Sequence, residues 1–342
     1  MKSKIQIREF GKLHDGSVVR EFTIININGF SVSIIEFGAI IRTIKYPGND
    51  LHNDVVLGFD TLEEYIDDKY YIGCIIGRVA NRIKNGEVQI KGFKYKINTN
   101  LGNHTLHGGI KGWDKKVWVG KAIESNIGMG VELYLVSPDG DEGFPGNVTA
   151  TVSYILTDEN ELIIDYSASS DLPTLINMTQ HSYFNLSGHA DHKIGEHFIK
   201  INAAKIYETD SDKIPTGKLI SVCDLNLCLQ DAQKLGDIIE QDKEGIDHYF
   251  VGNVVQTDEP IAILMDNKTN RRLEVFTDAL GLQVYTGQFL PDFVGKNSII
   301  SGEFSGICLE TQNLPYTNSN DNIGITFDSG EKYQQKTIWK FS

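Results

Sequence analysis

Residues that can move protons occur in two well-separated segments of this 342-residue chain. The first segment, residues 177–188, reads Asn-Met-Thr-Gln-His-Ser-Tyr-Phe-Asn-Leu-Ser-Gly. At the strand period of two residues, Met178 and Phe184 share one face, while His181 and Tyr183 share the other. An imidazole beside a phenol suits a polyhydroxylated ligand. A lone strand histidine is also an ordinary structural residue, so this segment alone leaves both interpretations open.

The second segment, residues 306–315, carries a carboxylate in a strand pattern that should be interior. Ile307 and Leu309 face one way, so Glu310 lies on the opposite face. A buried carboxylate is costly unless it is paired or used in chemistry. Glu310 is therefore a candidate general base, with a buried structural ion pair as the alternative.

Two arginines surround a short apolar stretch in residues 77–83, which read Gly-Arg-Val-Ala-Asn-Arg-Ile. Arg82 with the neighbouring amide of Asn81 could grip sugar hydroxyls through several fixed donors. From these residues alone, however, we favour surface ion pairs for Arg78 and Arg82.

A turn-rich loop at residues 103–109 holds two histidines followed by paired glycines. The glycines would allow the backbone to approach a ligand, and His107 could then donate to one of its oxygens. A metal site at His104 and His107 is a weak alternative, because no third ligand is specified. A further group of histidines, at positions 189, 192 and 197, lies in a polar loop pattern and is expected to be solvated.

Two more strand patterns place polar groups opposite aliphatic ones. Asp247 precedes an apolar run, where it could cap a turn or accept hydrogen bonds from two adjacent ring hydroxyls. Gln283 and Tyr285 share one face of residues 282–285. For Asp247 the structural and functional interpretations are equally open.

The composition limits the classes of function. With 46 acidic and 32 basic residues the net charge is −14, so a nucleic acid would be repelled. No segment has the length and hydrophobicity of a signal peptide or a membrane span, so we expect a cytoplasmic protein without a membrane partner. Four cysteines are too few for a disulfide framework, and reduced thiols are expected.

The elements that must position these residues are mostly strands. Short runs rich in Ile, Val, Tyr, Phe and Thr recur between glycine and asparagine turns, which predicts an all-β protein. Hairpins are expected at residues 22–35, around Asn28-Gly29, and at residues 87–97. Helices are expected at residues 62–65 and 229–240. Because no linker or repeat divides the chain, residues 1–342 are interpreted as one domain, with two large curved sheets packed face to face.

Six ordered motifs resemble the aldose 1-epimerase family, the galactose mutarotases. They are residues 77–83, 106–109, 141–148, 181–186, 247–248 and 309–312. Residues 54–60 and 62–65 also resemble the N-terminal pattern of this family, so the similarity extends over nearly the whole chain. The resemblance implies a large antiparallel β-sandwich, often called a supersandwich, that acts on aldoses without a cofactor or metal.

The resemblance also implies roles for individual residues. Glu310 would be the base and His181 the acid that interconvert the α and β anomers of free D-galactose or D-glucose. The substrate-binding positions would be Asn81, Arg82, His107, Tyr183, Asp247 and Gln283. We expect His181 to be held in its cationic form by Asp247 or by Glu310.

Three other functions stay open from the sequence. A hexose 6-phosphate epimerase would need added Arg or Lys on the loops, and no such cluster is obvious. A glycosidase would use Glu310 and Asp247 as its carboxylate pair. A sugar-binding sandwich would perform no chemistry. The preferred aldose and the choice between monomer and homodimer are not readable from the chain.

Overall fold

The computed structural model describes residues 2–48, 50–188, 193–252, 259–317, 322 and 324–342. The strands before residue 110 are β1 (Lys4–Lys12), β2 (Val18–Ile25), β3 (Ser31–Ile35), β4 (Ile41–Lys45), β5 (Ile75–Ile76), β6 (Arg82–Ile83), β7 (Glu87–Ile90), β8 (Phe93–Lys96) and β9 (Thr105–Leu106). The middle of the chain forms β10 (Val119–Glu124), β11 (Gly128–Ser137), β12 (Val148–Thr157), β13 (Glu161–Ser170), β14 (Thr174–Leu175), β15 (Thr179–Gln180) and β16 (Tyr183–Phe184).

The remaining strands supply much of the two large sheets. They are β17 (Phe198–Ile201), β18 (Ala203–Thr209), β19 (Pro215–Ser221), β20 (Gln233–Lys234), β21 (Asp247–Gly252), β22 (Ala262–Asp266), β23 (Arg271–Thr277), β24 (Gly281–Tyr285), β25 (Phe293–Val294), β26 (Ile300–Ser301), β27 (Ile307–Gln312), β28 (Thr326–Phe327) and β29 (Lys332–Phe341).

Helices are few and short in the described part of the chain. The α-helices are α1 (Leu62–Asp67) and α2 (Leu235–Gln241). A capping box between Thr61 and Glu64 starts α1 near the expected position. Helix α2 begins six residues later than expected, because β20 intervenes. Single 3₁₀ turns occur at Leu51–Asn53, Lys84–Gly86, Trp113–Lys115, Asp141–Gly143, Ile194–Glu196, Val222–Leu225 and Lys296–Ser298. No described helix has the length and apolar character needed to cross a membrane.

In the described part of the chain, most strands assemble into two large antiparallel sheets and one four-stranded sheet, and the others form five two-stranded sheets. The larger has nine strands in the order β10-β11-β12-β13-β29-β23-β22-β17-β20. The second has six strands in the order β16-β27-β24-β21-β18-β19, and a four-stranded sheet joins β1 to β4 in sequence. The expectation of a large antiparallel β-sandwich with few helices is therefore confirmed.

The two expected hairpins are present. Strands β2 and β3 pair with Ile25 opposite Ser31, and Gly29 in the turn has φ of 82°. Strands β7 and β8 meet around Lys91-Gly92, where both residues have positive φ, as a tight two-residue hairpin turn requires. Local turn chemistry was sufficient to predict these two pairings.

The six-stranded sheet packs one face against the nine-stranded sheet. The hydroxyls of Thr311 in β27 and Thr337 in β29 lie 2.6 Å apart across this interface. The rings of Phe184 in β16 and Trp339 in β29 meet edge to face at 4.8 Å between centroids. The opposite face of the six-stranded sheet is therefore the one that can present side chains to a ligand.

The segment around His181 differs from the single strand that its pattern predicts. It forms two separate two-residue strands, with β15 pairing β5 and β16 pairing β27. The chain changes partner at His181 and Ser182. The apolar residues of the predicted inner face, Met178 and Phe184 among them, are nevertheless buried in the main core, as expected.

The expectation of four reduced thiols is wrong for one pair. Cys223 and Cys228 are joined as a disulfide, with their Cα atoms 4.8 Å apart. Cys74 and Cys308 are free and buried. A five-residue separation in sequence carries no reliable signal for pairing, because the turn that brings the two residues together is formed by the 3₁₀ segment Val222–Leu225.

Candidate active site

A cavity of about 720 Å³ opens on the exposed face of the six-stranded sheet. All eight residues that the sequence assigned to the site line this cavity: Asn81, Arg82, His107, His181, Tyr183, Asp247, Gln283 and Glu310. The cavity is large enough for a monosaccharide. The structure thus brings together residues that the sequence had placed in six separate segments.

Three neighbouring strands build the floor of the cavity. Strand register places Gln283 of β24 opposite Glu310 of β27, and Tyr285 of β24 opposite Asp247 of β21. Because side chains alternate between the two faces of a strand, Gln283 and Glu310 project into the cavity, while Leu309 packs into the core. The sheet therefore fixes the spacing of the amide and the two carboxylates.

Glu310 is a buried carboxyl group with an uncommitted oxygen. Its Oε1 lies 3.5 Å from Nε2 of His181, and its Oε2 has no hydrogen-bond partner among the described residues. Burial raises the pKa of Glu310 well above its ordinary value, and nearby Asp247 raises it further, while Arg82 opposes the shift. A buried, unpaired carboxyl oxygen with a raised pKa is typical of a group that exchanges protons with a substrate.

His181 is held by its backbone and by contacts on both ring nitrogens. Its N–H donates to the carbonyl of Cys74 at 2.9 Å, and its own carbonyl accepts from the N–H of Gly73 at 3.0 Å. Nδ1 lies 3.5 Å from Sγ of Cys308, while Nε2 faces Glu310. The imidazole therefore has a fixed orientation, with Nε2 available to the cavity.

Burial lowers the pKa of His181 to about 4. This result contradicts the expectation that neighbouring carboxylates hold His181 in its cationic form. The physical reason is that the cost of desolvating the imidazolium exceeds the attraction of a carboxyl group that burial itself keeps protonated. The favoured form of the pair is therefore a neutral imidazole beside a carboxylic acid.

His107 acts as a hydrogen-bond donor toward the cavity. The backbone N–H of Asn81 donates to Nδ1 of His107 at 3.2 Å, so the neutral ring carries its proton on Nε2. Burial lowers the pKa of His107 well below its ordinary value, with His181 and Arg82 adding to the effect. Its ring contacts that of His181 edge to face, with centroids 5.2 Å apart.

The paired glycines beside His107 allow close packing between segments of the protein. A Cβ on Gly108, whose φ is 91°, would lie 2.0 Å from the carbonyl oxygen of Gly77. A Cβ on Gly109 would meet the side chain of Glu142. This close approach of two protein segments in turn fixes the position of His107.

A chain of hydrogen bonds connects four of the other lining side chains. Asn81 Nδ2 donates to Gln283 Oε1 at 2.9 Å, and Gln283 Nε2 donates to Asp247 Oδ1 at 2.7 Å. Arg82 donates from an NH2 group to the other oxygen of Asp247 at 3.2 Å. The network orients its amides and leaves Nε of Arg82 buried without a partner among the described residues.

The two arginines of residues 77–83 have different roles, and neither forms the expected surface ion pair. Arg82 is partly buried in the cavity wall. Arg78 is 2% exposed and donates to the carbonyls of Ser137, Pro138 and Pro145. It binds two loops together, an arrangement that a surface charge pattern does not predict.

The possible metal ligands in the structure also differ from the pair, His104 and His107, that the sequence suggested. His107, not His104, joins His181 and Glu310, and their ligand atoms lie within 4.8 Å of one another. A metal bound to Nε2 of His107 would require the ring proton to be on Nδ1. Nδ1 instead accepts a hydrogen bond from the backbone N–H of Asn81. The donor set therefore fits a transition metal poorly. His104 lies at the rim, with Nε2 3.6 Å from an oxygen of Asp212.

The third group of histidines is not a solvated cluster where it can be described. His197 is fully buried, and its Nε2 accepts from the N–H of Leu186 at 2.9 Å. Positions 189 and 192 lie outside the described residues. His197 is thus a structural histidine of the core.

Sequence reasoning missed Tyr71, which forms a wall beside both histidines. Its ring centroid lies 4.7 Å from that of His107 and 5.8 Å from that of His181. Its φ is 60°, an unusual conformation for a bulky residue and one often found at functional sites. Positive φ at a tyrosine has no sequence signal. Lys69, Lys213 and Phe289 at the mouth of the cavity were also not predicted.

Comparison with known proteins gives consistent matches over the length of the chain. A family model described as aldose 1-epimerase matches residues 20–340. The galactose mutarotase of Bos taurus is 36% identical over 337 residues, covering 97% of each chain. The aldose 1-epimerase of Haemophilus influenzae is 35% identical, covering 96% of this chain and 97% of its own. The crystal structure of galactose 1-epimerase from Lactobacillus acidophilus is similar with a TM-score of 0.88 at 27% identity, covering 100% of this chain and 99% of the other.

Proposed function

This chain belongs to the aldose 1-epimerase family, and from that membership we propose that it interconverts the α and β anomers of free aldohexoses such as D-galactose and D-glucose. The family is one of isomerases, and the enzyme class follows from it. Glu310 is the proposed base and His181 the proposed acid. The observation that carries the proposal is the approach of His181 Nε2 to Glu310 Oε1, at 3.5 Å within a buried cavity.

The reaction requires the transfer of two protons and the breaking and re-forming of the C1–O5 bond. The Glu310 carboxylate removes the proton from the C1 hydroxyl while the His181 imidazolium donates its Nε2 proton to the ring oxygen. The C1–O5 bond breaks and C1 becomes an aldehyde. Rotation about C1–C2 presents the other carbonyl face, and the reverse transfers close the ring as the opposite anomer. Each positioned acid or base typically contributes ~10²–10⁴ in rate.

The protonation of the pair is consistent with these steps. A carboxylate beside an imidazolium holds one transferable proton, and a carboxylic acid beside a neutral imidazole also holds one. The first form opens the ring, and the second is the form left after opening. Burial favours the second form, and the pair can reach the first by an internal proton shift without exchange with solvent.

The remaining lining residues are proposed to orient the sugar. His107 presents Nε2–H as a donor, and Arg82 presents an unpartnered Nε. Asn81, Gln283 and Asp247 are prearranged by their mutual hydrogen bonds. The Tyr183 hydroxyl already donates to the carbonyl of Tyr70 at 2.9 Å, so its ring forms a wall of the cavity. Prearranged polar groups reduce the entropy that binding must otherwise lose.

A glycosidase is less well supported by the same geometry. Such an enzyme needs a second carboxylate free to act as nucleophile or base. Both oxygens of Asp247 are already used, one by Gln283 and one by Arg82. Epimerisation needs only one free carboxylate and one imidazole. We propose that it needs no cofactor or metal, because proton transfers alone accompany the breaking and re-forming of the C1–O5 bond and no net oxidation occurs.

We also propose that the whole chain forms one catalytic domain. One cluster of buried residues includes Phe22 near the N-terminus and Phe341 near the C-terminus, so both ends share a core. A net charge of −14 disfavours nucleic acid as a partner. A free aldose is the proposed ligand, and the proposed setting is a cytoplasmic monomer or homodimer.

Polarimetry tests the proposed function. Freshly dissolved α-D-galactose or α-D-glucose should lose optical rotation faster with catalytic amounts of the protein than in buffer alone. Methyl α-D-galactopyranoside, which cannot open its ring, serves as the control and should show no change. Faster equilibration of glucose 6-phosphate but of no free aldose would assign the phosphate-specific function instead. No acceleration with any free aldose would refute the proposal.

A further inference from the structure

A buried thiol lies behind the imidazole of His181. Cys308 and Glu310 are two residues apart in β27, so their side chains are on the same face of the strand. Sγ of Cys308 lies 3.5 Å from Nδ1 of His181, and Oε1 of Glu310 lies 3.5 Å from Nε2. One strand therefore contacts both nitrogens of the same ring. Cys308 has no exposed surface.

We propose that Cys308 is a positioning residue whose sulfur accepts the Nδ1–H of His181, so that Nε2 faces the substrate and the imidazolium stays a strong enough acid to protonate the ring oxygen. This inference rests on the proposed function, because it assigns the control of acid strength within the same reaction.

The positions of the ring protons before and after the transfer favour sulfur as the acceptor. The imidazolium carries a proton on each nitrogen, and the transfer to the ring oxygen removes the one on Nε2. The proton on Nδ1 stays, and the atom facing it in both states is Sγ of Cys308. If the thiol donated to Nδ1 instead, the imidazolium could not form without breaking that contact.

The weakness of sulfur as an acceptor is the useful property. A carboxylate or carbonyl at Nδ1, the usual partner of a catalytic histidine, would stabilise the imidazolium and make it a poorer acid. Sulfur is a weak acceptor and fixes the ring with little added stabilisation of its charge. Burial also raises the pKa of Cys308 well above its ordinary value, so the neighbour stays a neutral thiol.

The other titratable groups around the ring do not replace this contact. Glu310 faces Nε2. The rings of His107, Tyr71 and Tyr183 contact the imidazole with centroids 5.2, 5.8 and 5.1 Å away. Burial keeps His107 neutral by lowering its pKa and keeps both phenols neutral by raising theirs. Among the described residues, Sγ of Cys308 is thus the hydrogen-bonding atom that contacts Nδ1 of His181.

Two substitutions separate acid strength from packing. Cys308→Asn places a carbonyl oxygen, a stronger acceptor, toward Nδ1 with little change in volume. It should move the acidic inflection of the kcat/KM profile upward by about one pH unit, because hydrogen bonding to the charged form favours that form. Cys308→Val removes the acceptor and puts a somewhat larger apolar side chain in its place. It should lower kcat about tenfold, with KM within about twofold and no upward movement of the inflection.

NMR of ¹⁵N-histidine-labelled protein provides a readout that does not need catalysis. The wild-type signal, identified by its loss in His181→Asn, should show a neutral ring protonated on Nδ1, and Cys308→Val should lose this preference. A wild-type ring protonated on Nε2 would overturn the inference. So would a folded Cys308→Asn enzyme whose inflection does not move. If instead the wild type did not accelerate mutarotation while the Nδ1 tautomer was present, the proposed function would fail and the positioning would stand.

Discussion

Nε2 of His181 lies 3.5 Å from Oε1 of Glu310, although the two residues are far apart in the sequence. The pairing of β16 with β27 creates this proximity, since Tyr183 is opposite Cys308. An acid and a base that share one cavity can act on the two oxygens attached to one carbon. Most of the following predictions depend on that relationship.

Replacing the proposed acid should slow the reaction without removing the sugar site. His181→Asn keeps a polar side chain of smaller size but cannot transfer a proton at neutral pH. We expect kcat to fall by ~10²–10⁴, with a much smaller change in KM. Initial rates of mutarotation measured by polarimetry test this. His14→Asn, which changes an exposed histidine, is the matched control and should keep full activity. An active His181→Asn enzyme would remove His181 from the chemistry.

Replacing the orienting carboxylate should weaken binding more than catalysis. Asp247 accepts from Gln283 at 2.7 Å and from Arg82 at 3.2 Å. Asp247→Asn removes the negative charge. It also replaces one acceptor oxygen with an NH2 group, which would face the donor group of Gln283 or Arg82. Hydrogen bonds to charged groups contribute ~1.5–3 kcal/mol, so KM should rise about 10- to 100-fold. Steady-state kinetics beside the exposed control Asp328→Asn provide the measurement. A large loss of kcat at unchanged KM would instead give Asp247 a direct chemical role.

The pH dependence follows from the two shifted groups. The active pair holds one proton. Below pH 4 a second proton is gained, because burial lowers the pKa of His181 to about 4. At high pH the last proton is lost, and this limb lies above the ordinary carboxyl range because burial raises the pKa of Glu310. A profile of kcat/KM should therefore be bell-shaped, with an acidic limb near pH 4. An acidic limb near the ordinary histidine value of 6.5 would contradict these assignments.

A buried ion pair far from the chemistry should dominate local stability. Nζ of Lys296 is buried and donates to Asp54 at 2.8 Å and to the carbonyls of Arg42 and Val56. Lys296→Met would leave a buried carboxylate without its cation. The free energy of unfolding should fall by ~3–5 kcal/mol in urea denaturation. Lys336→Met, at a half-exposed pair, should cost at most ~1 kcal/mol. Equal effects of the two substitutions would show that burial does not set the cost.

Local patterns in the sequence predicted which face each side chain takes. Alternation at period two placed Glu310 opposite Leu309 and Gln283 opposite aliphatic neighbours, and the structure agrees. Turn residues predicted the hairpin at Asn28-Gly29. These features depend on a few adjacent residues, so they are readable without knowledge of the tertiary structure.

Features that depend on distant segments were not readable. The strand that His181 was expected to occupy breaks because its two halves pair with different partners. Arg78 is buried because carbonyls of a loop about sixty residues later surround it. The cationic form expected for His181 was wrong because the sequence does not report desolvation. The family resemblance supplied the grouping of the site residues, which alternation alone could not provide.

In the proposed reaction, Glu310 removes the proton from the anomeric hydroxyl. The direct test is the rate of anomer exchange of D-galactose, measured by polarimetry and by NMR of the anomeric proton signals, for the wild type and for folded Glu310→Gln. Glu303→Gln, which changes an exposed glutamate, is the control. We expect a loss of ~10²–10⁴ in kcat for Glu310→Gln and none for the control. A Glu310→Gln enzyme within about threefold of wild type would show that Glu310 is not the base.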